Sequence, residues 1–141
     1  MKKKQVFVSF DFENDGIHRN LLTAFNNNRN FDVMYHEHSI NEMQNCDVER
    51  IKAVVARKIQ EATHVLVIVG EHANKCHPEQ DAIGETNWQC WEIYKAINEG
   101  KKIIAIKIKS TNPAPIPLQN INTRWIMSFD MKTITDTINS F

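Results

Sequence analysis

A chain of 141 residues can bury one core and is short for two, so a single domain over residues 1–141 is expected. Its 17 Lys and Arg balance 17 Asp and Glu, leaving no net field to draw the whole molecule onto nucleic acid or an acidic membrane surface. The start MKKKQVFVSF lacks the apolar run of a signal peptide or spanning helix, and Cys46, Cys76 and Cys90 are odd in number without CxxC spacing. A cytoplasmic protein with neither a disulfide framework nor a zinc ribbon is therefore expected.

Residues 4–10, KQVFVSF, alternate in β-branched and aromatic types and predict a first strand, ended by DFENDG. Ile17, Leu21, Leu22 and Phe25 follow helical spacing, with Asp15 as a cap, until the polar NNNRN. FDVMYHEH predicts a second strand, and SINEMQNC a loop. The next helix starts near the cap Asp47 and carries Ile51, Val54, Val55 and Ile59 on one face. THVLVIVG, residues 63–70, is almost unbroken aliphatic sequence, the habit of a central parallel strand covered on both faces. A long polar connection, EHANKCHPEQDAIGE, follows it. Thr86 and Gln89 have capping-box spacing for a helix ending at Asn98, with Gly100 just beyond. KKIIAIKI predicts a fourth strand, TRWIM a short fifth, and residues 130–140 a last helix.

Strand and helix alternate around a buried middle strand, which predicts a flavodoxin-like three-layer α/β sandwich. Its five-stranded parallel sheet has order 2-1-3-4-5, with helices on both faces. Ligands in such sheets bind outside the carboxyl ends of the strands, where the order reverses between the first and third. That rule selects SFDFEND, Gly70 with the loop after it, and the start of the helix containing NWQCWEI.

Several chemistries common on this fold are opposed by the residues. Four scattered glycines make neither a dinucleotide fingerprint nor a phosphate loop. A phosphate-receiving domain needs an aspartate after the third strand and a lysine after the fifth, where VGEH and IMSFD stand. The acids of SFDFENDG would repel the phosphate of a flavin mononucleotide. His36 and His38 share one side of the second strand, and Cys76 adjoins His77, but this spacing is unspecific for a metal, and none is expected. Cys90 projects to the apolar side of its helix, as a buried, inert thiol would. At 100° per residue, Gln89, Cys90, Ile93, Ala96 and Ile97 cluster toward the core, and Trp88, Glu92, Lys95 and Glu99 toward the outside. Two readings of that outer face stand. Trp88 and Glu92 form an aromatic wall beside a carboxylate, suited to a flat ring and a sugar hydroxyl; or Glu92 is a surface acid and the tryptophans pack under loops.

VFVSFDFEND, THVLVIVG and NWQCWEIYKAINEGKKIIAIKI together resemble the TIR-like family of bacterial Thoeris anti-phage defence, over about residues 4–108. The resemblance implies an NAD-cleaving enzyme that releases nicotinamide and makes an ADP-ribose-derived signal, which activates a partner effector. NAD is then a substrate, with no cofactor. In the family's pattern the catalytic glutamate falls on Glu92, while Phe10, Asp11, Trp88 and Ser39 would bind substrate. A carboxylate beside the ribose can hydrogen-bond its hydroxyls and stabilise the oxocarbenium ion that develops as the bond to nicotinamide breaks. A phage-derived trigger and a homo-oligomer would belong to that role. Two alternatives accompany it: a non-catalytic TIR-like adaptor that self-associates or binds partners through exposed tryptophans, and a ribosyl-transferring enzyme acting on free nucleotides.

Overall fold

The computed structural model describes residues 4–10, 31–35, 48–119, 121, 123–127 and 130–141. The strands are β1 (Lys4–Ser9), β2 (Phe31–Tyr35), β3 (His64–Val69), β4 (Lys102–Lys107) and β5 (Arg124–Ile126). They form one parallel sheet of order β2-β1-β3-β4-β5, as predicted. The helices are α1 (Val48–Glu61), the single turn α2 (Gln80–Ile83), α3 (Trp88–Asn98) and α4 (Met131–Ser140), with a 3-10 turn at Ile116–Leu118. The helix predicted over residues 17–25, the cap Asp47, Cys46, His36 and His38 lie outside the described residues.

Period-two alternation divides the apolar side chains between two cores. Phe7, Val65, Val67, Val69, Ile103 and Ala105 face α1 and α3, where they pack with Ile51, Val55, Ile59, Ile93 and Ala96. Val6, Val8, Leu66, Ile68, Ile104 and Ile106 face the other way and meet Ile134 and Ile138 of α4. All six residues of β3 are buried, in keeping with the unbroken aliphatic run that predicted a central strand. Val54 departs from the predicted apolar face of α1: it is 42% exposed, because the buried stripe runs through Ile51, Val55 and Ile59 at spacings of four.

The polar connection after β3 is held by hydrogen bonds. His77 N–H donates to the Thr86 carbonyl at 2.8 Å, and the Asn87 amide donates to the carbonyls of Ala73 at 2.8 Å and Lys75 at 3.0 Å. Ala73 and Ile83 of this segment belong to the α1–α3 core. Asn87 also caps α3, its Oδ1 accepting from Cys90 N–H at 2.8 Å. This replaces the expected capping box of Thr86 and Gln89. An asparagine one residue later satisfies the same orphan donors, and it releases Gln89 into the first turn of the helix.

At the other end, Gly100 adopts φ +69°, and its N–H donates to the Ile97 carbonyl at 3.0 Å. Lys101 N–H donates to Ala96, also at 3.0 Å, completing a Schellman closure that returns the chain into β4. α3 thus begins at the carboxyl rim of the sheet and runs back toward its amino edge. That path sets its first two turns beside the ends of β1 and β3.

Candidate functional site

Three polar side chains of the described residues are buried together where β1, β3 and α3 meet. Ser9, the last residue of β1, is fully buried, Glu92 is 1% exposed and Gln89 4%. The Ser9 hydroxyl donates to Glu92 Oε1 at 2.7 Å. Gln89 Nε2 donates to the Ser9 carbonyl at 3.2 Å and to the Ile68 carbonyl at 2.9 Å, spanning the ends of two neighbouring strands. Gln89 and Glu92 stand three residues apart on α3, so both reach the same rim.

The burial of Glu92 and Trp88 corrects the helical projection. Trp88 is 8% exposed and packs in the α1–α3 core, edge-on to Trp91 with ring centroids 5.9 Å apart. The buried residues of α3 are Trp88, Gln89, Cys90, Glu92, Ile93 and Ala96. The arc is wider than the projection has it: it keeps Gln89, Cys90, Ile93 and Ala96 and takes in Trp88 and Glu92 at its other edge, while Ile97 is half-buried. A projection that sends acids to solvent cannot find this arc. Here the carboxylate is turned inward onto a hydroxyl, and the hydrogen bond offsets part of its desolvation. Further along, where the outer face is exposed, Lys95 and Glu99 form an ion pair at 3.0 Å.

Trp88 and Glu92 are therefore brought together, one helical turn apart, on the α1–α3 side of the sheet. Phe10, 6% exposed, packs with Val6, Val8 and Ile68 in the core on the α4 side. Asp11 and Ser39 lie outside the described residues. Sequence reasoning missed Ser9 and undervalued Gln89. The signals were present: Ser9 is the hydroxyl two positions after Phe7 on one strand face, and Gln89 is a polar residue projected onto an apolar helix face.

Cys90 is buried as expected. Desolvation pushes its thiol up to about 11, with the carboxylates of Glu85 and Glu92 adding to the rise. The backbone of Asn87, hydrogen-bonded to the thiol, opposes them. A thiol so disposed is a packing group rather than a nucleophile. Among the described residues no three His, Cys, Asp or Glu side chains gather as metal ligands would, and no helix is long and apolar enough to cross a membrane.

Comparison with known proteins gives one family and a set of structural likenesses. The family model described as Thoeris protein ThsB, TIR-like domain, matches residues 7–113. No curated protein sequence matches the chain. Among solved structures the fold is similar to a 2-desoxiribosyltransferase from Leishmania mexicana, with TM-score 0.60 and 10% identity over 94% of this chain and 97% of that one. It is similar also to a 2-deoxyribosyltransferase from Bacillus psychrosaccharolyticus, with TM-score 0.55 and 10% identity over 92% and 95% of the two chains. A prokaryotic SEFIR domain matches with TM-score 0.53 and 15% identity over 98% and 95%. At these identities the likeness is one of fold.

Proposed function

The chain belongs to the TIR-like domain family of the Thoeris protein ThsB, and from that premise we propose that it cleaves NAD at the nicotinamide N-glycosidic bond. The product is an ADP-ribose-derived signalling molecule that activates a partner effector in anti-phage defence. The observation that carries this reading is the buried Glu92 carboxylate, held by Ser9 at the carboxyl rim and flanked one turn away by Trp88. As the bond from the ribose anomeric carbon to nicotinamide breaks, its electron pair passes to the ring nitrogen and neutralises the pyridinium. Positive charge moves to the ribose. A carboxylate with little water around it stabilises that charge far more than one in bulk solvent, and can hydrogen-bond the ribose hydroxyls. The incoming nucleophile, water or another acceptor, then bonds to the same carbon.

The fold likeness to proteins named as 2-deoxyribosyltransferases is in keeping with sugar-transfer chemistry on this scaffold. In this reading Trp88 meets the substrate's flat ring and Asp11 and Ser39 complete the substrate contacts, while Phe10, packed on the α4 side of the sheet, supports the rim from the opposite core. NAD is consumed as substrate, and the protein acts in the cytoplasm on a phage-derived trigger. The adaptor alternative began from exposed tryptophans in α3; with Trp88 buried and Trp91 half-buried, those residues offer no such patch.

The test is nicotinamide release from NAD by the pure protein, alone and with lysate of phage-infected cells. Release by the wild type, abolished in Glu92→Gln with the melting temperature retained, is the expected result. Full turnover by Glu92→Gln removes Glu92 from the mechanism. Absence of release in both conditions, together with concentration-dependent oligomers, favours the adaptor.

A further inference from the structure

We propose that Ser9 is the positioning residue for the Glu92 carboxylate, and that Gln89 holds Ser9 in place by tying its backbone to the end of β3. The expected effect on turnover rests on the NAD-cleaving reading; the structural relation between the three residues does not. On the face of β1 that meets α3, the large apolar Phe7 gives way at Ser9 to a side chain small enough to admit a carboxylate beneath the helix. A carboxylate at 1% exposure is costly without donors. The Ser9 hydroxyl is one, and its 2.7 Å bond to Oε1 fixes which oxygen of Glu92 faces the sheet.

Gln89 makes the arrangement rigid. Its two acceptors, the Ser9 and Ile68 carbonyls, require its NH2 group to face the strand ends, which settles the amide orientation. Its Oε1 is then buried without a hydrogen-bond partner. An apolar side chain at this position would avoid that orphaned acceptor, and the structure tolerates it at the point where helix, β1 and β3 are tied together. Glu92 is thus located against the sheet twice: through its own bond to the Ser9 side chain, and through Gln89, three residues earlier, to the Ser9 backbone.

The experiment compares Ser9→Ala, Ser9→Cys and Ser9→Thr with the wild type by two readouts. One is the side-chain carboxyl 13C resonance of Glu92, assigned by its loss in Glu92→Gln. The other is steady-state nicotinamide release from NAD under the condition in which the wild type is active. Loss of a hydrogen bond to a charged group is expected to lower kcat by about 10- to 100-fold in Ser9→Ala, with KM changed less than threefold. The Glu92 resonance is displaced in the same variant. Ser9→Cys, close in volume but a weak donor, behaves like Ser9→Ala. Ser9→Thr, which keeps the hydroxyl, retains both the resonance and most of the rate. A Glu92 resonance unmoved in Ser9→Ala and Ser9→Cys overturns the proposal whatever the activity, and so does an undiminished kcat in a variant whose resonance has moved. A displaced resonance in a protein that never releases nicotinamide leaves Ser9 as the positioning residue and overturns the NAD reading instead.

Discussion

Cys90 and His64 show how burial sets the chemistry of single residues. With its thiol pushed up to about 11, Cys90 carries almost no thiolate at pH 7.5. Treatment of native protein with a maleimide at that pH is expected to label exposed Cys76 and to leave Cys90 unmodified until denaturant is added, as read by peptide mass mapping. Rapid labelling of Cys90 in the folded state would contradict its assignment as a packing group. His64, at the start of β3, is 2% exposed, shares a hydrogen bond of 2.9 Å with the Thr63 hydroxyl, and meets the Phe141 ring edge-on. Burial first, then the ammonium groups of Lys4 and Lys102, hold its imidazole below the ordinary value of 6.5, against a backbone contact at Phe141 that raises it. The unfolded chain therefore binds this proton more readily. The contribution of neutral His64 to stability is complete above pH 6.5 and is lost as pH falls through the lowered folded-state value. Between pH 7.5 and pH 5 the melting temperature should fall further in the wild type than in His64→Gln. Equal falls would show that His64 is not the group responsible.

At the scale of elements, α3 is defined by its two ends. Gly100 has a left-handed backbone with open space where a Cβ would stand, so Gly100→Ala tests conformation apart from packing. About 1 kcal/mol is expected, which for a domain of this size lowers the melting temperature by roughly 2–4 °C. Asn87→Ala should cost more than an ordinary cap, beyond about 1 kcal/mol, because the same side chain holds the Ala73 and Lys75 carbonyls. Thermal melts of the two variants decide both. The closing glycine was legible from sequence because few other residues accept its backbone conformation. The cap was read one residue early, since Thr86 and Asn87 are both competent and only the packed connection selects between them. The strands were legible because alternation in KQVFVS and aliphatic continuity in HVLVIV are imposed by what each face touches. The inward turn of Glu92 was not, because it depends on Ser9, 83 positions away in the chain.

For the molecule as a whole, two cores share one sheet. β3 and β4 send alternate residues to each, so neither core can be loosened without disturbing strands that support the other. Ile134→Ala, in α4, is expected to cost about 2–5 kcal/mol. Because the damage crosses the sheet, fluorescence of the tryptophans in α3, on the far face, should report the same lowered midpoint as far-ultraviolet circular dichroism. Two separated transitions would show that the cores melt independently. The strand order was legible from sequence because short alternating elements leave few right-handed parallel arrangements. The partition of the candidate residues was not, and Phe10 and Trp88 fell into different cores.

The placement of Trp88 and Glu92 among core residues also bears on how the protein should fail on warming. Sites carried on pendant loops often soften first, leaving a folded but inactive molecule over some interval of temperature. Among the described residues the supports of Glu92 are Ser9, Gln89 and the packed stem of α3, all of them part of the folded core. Whatever reaction Glu92 serves, its heat inactivation should follow the melting curve closely, and on cooling from a reversible melt the activity should return in step with the fold.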